Sequence, residues 1–340
     1  MEKRRVPGFV DLQVNGFAGV DFNDVASCTT DGVSRALDAM RATGVTRCLP
    51  TIITSSVDHF AACARAIARH PSAAPGGAIA GIHMEGPYIS PLDGFRGAHP
   101  LEHCAAASVD DFDRRQDAAD GRIVLVTLAP EVPGAIALIE HLVARGIRVA
   151  LGHTAASSQD IQAAVAAGAT LSTHLGNGCA ATLPRHPNMI WEQLAHDSLF
   201  ASFIVDGHHL PSSTVKAMMR AKTPARSILV TDAIAAAGCP PGIYSLGGLQ
   251  VELNAAGRVS PANVPGATHL AGSALSMDRA IGLTVQFTGL PLDEVLKMAS
   301  TTPAAFIGID IGIESTGSID IEWDADTSTL AVKMPGGGIQ

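Results

Sequence analysis

With 340 residues, 47% of them hydrophobic and 16% charged, the chain can fill a large core, which excludes a disordered protein. Its net charge of −9, with 23 basic against 32 acidic residues and no Lys/Arg-rich run, argues against a nucleic-acid surface. A small anionic substrate stays open, since two or three local donors suffice to hold one.

The six cysteines (Cys28, Cys48, Cys63, Cys104, Cys179 and Cys239) are scattered without a C-x-x-C pair, as expected of reduced, mostly buried thiols. The start "MEKRRVPGFVDLQ" is basic, but Pro7, Gly8 and Asp11 interrupt it before a secretory apolar run can form. No apolar segment reaches the roughly 18 residues of a transmembrane span. The expectation is a cytoplasmic enzyme or binding protein, with no membrane and no nucleic-acid partner.

The first apolar run is 8–14, "GFVDLQV". A helical pattern over 31–42 follows, with Val33, Ala36, Leu37 and Met40 on one face and Gly44 closing it. The second run is 45–52, with a helix over 57–69. The third is 78–84, and the fourth is 123–128 with a helix over 134–145. The fifth is 147–152, with a helix from Ser157, a capping residue, to Ala167. The sixth is 169–173. The seventh is 200–205, with a helix over 211–220, and the eighth is 227–231. Strands alternating with helices indicate βα units and a parallel sheet. Eight of them predict a (β/α)₈ barrel over about 6–315. The runner-up, an open doubly wound sheet, lacks any G-x-G-x-x-G or G-x-x-x-x-G-K-[ST] after a strand. Period-2 alternation with Gly-Gly and Ala-Gly turns predicts an inserted β-hairpin at about 240–270, before helices over 273–287 and 291–299. The tail, 316–340, reads as a short β segment and glycine-rich coil.

In such a barrel the working site lies at the C-terminal strand ends. There the sequence places Asp11, Gln13 and Asn15 (strand one), Glu85 (three), His153 (five), and His174 and Asn177 (six). Asp206, His208 and His209 follow strand seven, and Asp232 follows strand eight. Each alone has an ordinary explanation: Asp11 as a turn former, Asn177-Gly178 as a turn pair, Asp232 as a helix cap. Together on one mouth these explanations weaken. Glu85, at the end of a buried strand, needs a positive partner to offset desolvation. With His153 and His174 it makes a His₂Glu set of the catalytic-zinc kind, water being the fourth ligand, with Asp232 across from that water. His70, His103, His141, His196 and His269 are expected on the surface. His83 shares a strand face with Glu85 and is expected beside the site or satisfied in the core.

The segments "PGFVDLQVNG", "GIHMEGP", "GAH", "LAPE", "GHT", "GATLSTHLGN", "VDGHHL", "VTDA" and "LAGSALSM" occur in that order. From about residue 7 to 326 the chain resembles the N-acetylglucosamine-6-phosphate deacetylases of the amidohydrolase superfamily. The resemblance implies one divalent ion per subunit, zinc first with iron, cobalt or manganese as alternatives, on Glu85, His153 and His174. It makes Asp232 the general base and then acid for attack of a metal-bound hydroxide on the acetyl carbonyl, with His99 on that carbonyl. Gln13 takes the place of the H-x-H of binuclear relatives, so one metal is implied, and Asn15 stands with it beside the metal and its water. Asn177, Gly178, Arg185 and His209 are implied for the sugar and phosphate, Arg185 from a neighbouring subunit in some members, hence a homodimer. The implied substrate is an N-acetylhexosamine 6-phosphate. The pattern departs from the family's in three places. Only six residues precede Pro7, Glu322 and Trp323 stand where Gly-Lys is usual, and "GNGCAATLPRHPN" replaces a longer Met-containing loop. A reduced β subdomain is therefore expected. Two other functions stay open: an amidohydrolase acting on a different N-acyl or cyclic amide, and a non-catalytic sugar-phosphate-binding protein. A cytidine-deaminase-type zinc site is set aside because no P-C-x-x-C follows the H-x-E.

Overall fold

The computed structural model describes residues 1–262, 264, 270–311 and 317–333. His269, the end of the tail and part of the 240–270 insertion lie outside the described residues.

Eight parallel strands follow one another around one sheet in chain order. They are β1 (Phe9–Val14), β2 (Val45–Ile53), β3 (Ile82–Glu85), β4 (Ile123–Leu128), β5 (Arg148–Leu151), β6 (Leu171–Ser172), β7 (Phe200–Phe203) and β8 (Ser227–Leu229). All six residues of β1 are buried, because side chains fill the barrel on one side of it and helices cover the other. Between β8 and β1 the barrel closes through the residues just beyond the strands. Val14 bridges Ala233, the Asp232 amide donates to the Gln13 carbonyl at 2.9 Å, and the Asn15 amide donates to Ala233 at 2.7 Å. Asp11 reinforces this seam. It is fully buried and accepts from the Thr231 hydroxyl and from the Thr231 and Gln13 amides, so it is a latch rather than a turn former. The seam thus fixes Gln13, Asn15 and Asp232 relative to one another.

Helices over Thr30–Ala42, Val57–Ala68, Ala135–Ala144, Ser158–Ala166, Ser212–Lys222, Met277–Thr288 and Leu292–Ala299 fall where the apolar spacing puts them. In the first, Thr29 caps the Gly32 amide, and Val33, Ala36, Leu37 and Met40 turn inward. Helices over Val109–Ala118, Met189–Ala195 and Thr301–Ile307 were not legible as periodic segments. Val109–Ala118 buries only Phe112 and Arg115, too narrow a stripe to read.

The insertion carries three antiparallel strands rather than a two-stranded hairpin: Gly242–Leu246, Leu249–Leu253 and Val259–Pro261. Its inner face packs Leu246, Val251, Leu253 and Val259 against Ile53 and Ile234, next to the barrel mouth. A second small sheet pairs the first residues with the last described ones, Glu2–Pro7 against Ser318–Asp324, which also pairs Thr329–Lys333. The basic start is satisfied here, Arg5 by Asp320 at 2.9 Å and Lys3 by Glu322 at 3.4 Å. All six cysteines are free, with Cys28, Cys48 and Cys63 buried. Among the described residues no helix is long and apolar enough to cross a membrane.

Candidate active site

Glu85 is the last residue of β3; His153, His174 and Asp232 stand two or three residues past β5, β6 and β8. These last three have φ of 49°, 28° and 49°, in the left-handed region that non-glycine residues rarely adopt. Such strain costs about 1–3 kcal/mol per residue and persists where surrounding structure enforces it, typically at functional sites. Here it brings side chains from separate strands over one mouth.

Three atoms meet at its centre. Nε2 of His174 lies 3.1 Å from Glu85 Oε1, Nε2 of His153 lies 3.2 Å from the same oxygen, and the two nitrogens are 3.1 Å apart. His153 Nδ1 lies 3.0 Å from the Phe95 carbonyl, which can only accept, so Nδ1 carries a proton and donates. In the neutral ring Nε2 is then a lone pair, and it faces a carboxylate oxygen. Two acceptors at that distance need a cation between them. A divalent ion bound at about 2.0–2.2 Å in tetrahedral geometry holds its ligands about 3.3–3.6 Å apart, a little wider than these spacings. The residues therefore fit a single ion. A looser group, one atom each of Glu85, His99 and His153 within 4.8 Å, overlaps this set. The triangle of Glu85, His153 and His174 is the better fit, because its atoms lie 3.1–3.2 Å apart, whereas the looser group spreads to 4.8 Å.

Burial alone would raise the Glu85 carboxyl, but His153 and His174 outweigh it and hold it well below the usual range. Asp232 behaves in the opposite way. Burial first, then the Glu85 charge, pushes it up to about 6. Burial also pushes the His99 ring down to about 3, so it is neutral. The Gln13 side-chain nitrogen bridges the two carboxylates, 3.0 Å from Glu85 and 3.1 Å from Asp232, and the Asn15 amide reaches Asp232 at 2.7 Å. Neutral donors thus separate two acids that would otherwise repel each other.

A cavity of about 210 Å³ opens above these groups, lined by Asn15, Glu85, His99, His153, His174, Asn177, Gly178, His209 and Asp232, with Ile53, Leu246 and Leu270 as apolar wall. His209 is held from behind by Asp206 at 2.7 Å. Arg185 does not join them: within one chain it is exposed on the loop after β6 and lines no part of the cavity. Gly178 has φ of 55°, and a Cβ there would come 2.8 Å from His153 Nδ1, so only glycine lets the loop pass over that ring.

His70 is not a surface residue. It is buried, where it takes the Ser72 amide on Nδ1 and meets the Ser34 hydroxyl with Nε2. His83 is buried between the Thr51 and Thr127 hydroxyls, a satisfied core histidine beneath Glu85. Sequence reasoning missed Thr54 and the Phe95 carbonyl. Neither stands out, because a threonine at a strand end and a backbone oxygen carry no signal of their own.

The model of the amidohydrolase family matches residues 5–334. An N-acetylgalactosamine-6-phosphate deacetylase of Escherichia coli O157:H7 is 36% identical over 306 residues, 89% of this chain and 78% of that protein. The N-acetylglucosamine-6-phosphate deacetylase of Homo sapiens is 35% identical over 335 residues, 95% of this chain and 78% of that one. Among solved structures, a mutant N-acetyl-D-glucosamine-6-phosphate deacetylase of Mycobacterium smegmatis, in complex with N-acetyl-D-glucosamine-6-phosphate, superposes with a TM-score of 0.86. It shares 32% identity, over 97% of this chain and 84% of that one. The chain belongs to the amidohydrolase family and, within it, to the N-acetylglucosamine-6-phosphate deacetylases.

Proposed function

We propose that the chain hydrolyses the acetamide of an N-acetylhexosamine 6-phosphate, N-acetylglucosamine 6-phosphate first, to acetate and the amino sugar 6-phosphate. The observation that carries this reading is the meeting of Glu85, His153 and His174 within 3.1–3.2 Å, with Asp232 bridged to Glu85 through Gln13. A divalent ion bound there supplies a water acidified to near pH ~7 and a Lewis acid for the acetyl carbonyl. Two imidazoles and a carboxylate match zinc, which is the ion we assign.

The chain's own groups supply the rest. Asp232, raised to about 6, accepts the proton of the attacking water. It then returns that proton to the leaving nitrogen, without which an amide nitrogen is a poor leaving group. His99, neutral and on the cavity wall, donates to the carbonyl oxygen as negative charge builds there. Ile53, Leu246 and Leu270 give the pocket an apolar side. Asn177, the Gly178 amide and His209 serve the sugar and phosphate. Arg185, exposed in one chain, suits a phosphate in a partner's site, so a homodimer is part of the reading. A cytoplasmic enzyme is part of the same reading.

The test is acetate release by the zinc-loaded protein from N-acetylglucosamine 6-phosphate. Asp232→Asn should lose about 10²–10⁴-fold in kcat. Release of no acetate from either this substrate or its galactosamine epimer would sink the reading. The galactosamine arm has its own ground, since the Escherichia coli relative is named for that epimer.

A further inference from the structure

We infer that Thr54 sets the ring state of His99, its hydroxyl donating to Nδ1 so that the imidazole carries its proton on Nε2. Thr54 follows β2 directly, and both it and His99 are buried, at 2% and 4% exposure. The hydroxyl has one proton and two acceptors in reach. His99 Nδ1 lies at 2.8 Å, whereas the Glu85 carbonyl lies at 3.5 Å, at the outer limit for a hydroxyl donor. The 2.8 Å separation suits either direction, but a hydroxyl turned to the carbonyl would gain only a weak bond at 3.5 Å, so the proton is assigned to the contact with Nδ1. The opposite choice would oblige His99 to donate from Nδ1 and would leave Nε2 a lone pair. Such a ring would repel a substrate carbonyl and would suit a metal ion instead. The direction of one hydroxyl therefore decides whether His99 is a hydrogen-bond donor or a fourth protein ligand.

The backbone makes room for this arrangement. Gly86, just past Glu85, has φ of 79°, and a Cβ there would sit 2.1 Å from the Thr54 oxygen. A side chain at 86 would push the hydroxyl off the ring. Thr54 is thus a positioning residue that acts through His99. What His99 does with its Nε2 proton rests on the deacetylase reading, but the ring state can be measured without turnover.

The experiment is a two-bond ¹H–¹⁵N correlation spectrum of the zinc-loaded protein labelled with ¹⁵N-histidine, the His99 signals being assigned by their loss in His99→Ala. Wild type and Thr54→Ser should show His99 protonated on Nε2. Thr54→Val should lose that single state and lower kcat by about 10–100-fold, with KM within about threefold, while Thr54→Ser stays close to wild type. A wild-type His99 protonated on Nδ1 overturns the inference, as does Thr54→Val with an unchanged kcat. If Thr54→Val does not fold, the wild-type spectrum decides alone. Absence of acetate release by wild type would instead sink the proposed function, leaving the spectrum to judge Thr54.

Discussion

Asp11 and Gln13 stand two residues apart on β1 and support the site in different ways. Gln13, a neutral amide between Glu85 and Asp232, lets both acids stay close. Asp11 works one layer down, holding Thr231 and hence the approach to Asp232. Burial pushes its carboxyl up to about 7, although three hydrogen bonds from Thr231 and Gln13 oppose that shift. In the unfolded chain an aspartate titrates near ~3.9, so the folded state favours the protonated acid. This contribution to stability is complete below about pH 4 and is lost as pH rises through about 7. Urea unfolding of wild type and Asp11→Asn between about pH 5 and about pH 8 checks it. The stability advantage of wild type over Asp11→Asn should shrink as pH rises, and a difference that grows or stays flat contradicts the assignment. At this scale the sequence was legible where chemistry is concentrated. Glu85, His153, His174 and Asp232 stand at strand ends, where an apolar run meets a polar residue and no structural need explains it. Asp11, placed at the mouth with a turn as its ordinary alternative, and His70, expected on the surface, are both buried, because burial depends on partners from distant segments, Thr231 for one and Ser34 for the other.

Among the elements, the strands and most helices could be read from periodicity alone, since barrel strands are buried on both faces and their helices on one. What escaped was set by tertiary contacts. β6 pairs over only Leu171–Ser172, and Glu2–Pro7 is a strand only because Ser318–Asp324 lies beside it. The inserted sheet has a consequence for the site. Leu246 ends its first strand, lies on the cavity wall, and is held there by the Gly247-Gly248 turn, whose first amide donates to Asp21 at 2.8 Å. The insertion therefore helps shape the mouth through Leu246. Leu246→Ala should raise KM by about 5–20-fold through lost apolar contact, of order 1–2 kcal/mol, with kcat within about twofold. Steady-state kinetics on the acetylated sugar phosphate measure this. An unchanged KM would separate the insertion from substrate binding.

For the whole molecule, assembly centres on Arg185. One chain brings together Glu85, His153, His174, Asp232 and the cavity, yet leaves this arginine exposed on the loop after β6. If a second copy brings it to the phosphate, light scattering should give a dimer, and Arg185→Ala should raise KM by about 10–100-fold while the dimer persists. A monomer with unaltered KM in Arg185→Ala would remove the arginine from the site. The sequence could not decide this, because a loop residue's partner across an interface leaves no trace in periodicity or spacing.

The proposed hydrolysis depends on which side chains hold the ion, and metal analysis of wild type, His174→Ala and His99→Ala tests that most directly. The triangle of Glu85, His153 and His174 predicts about one zinc per chain in wild type and in His99→Ala, and close to none in His174→Ala. Zinc kept by His174→Ala and lost from His99→Ala would contradict it.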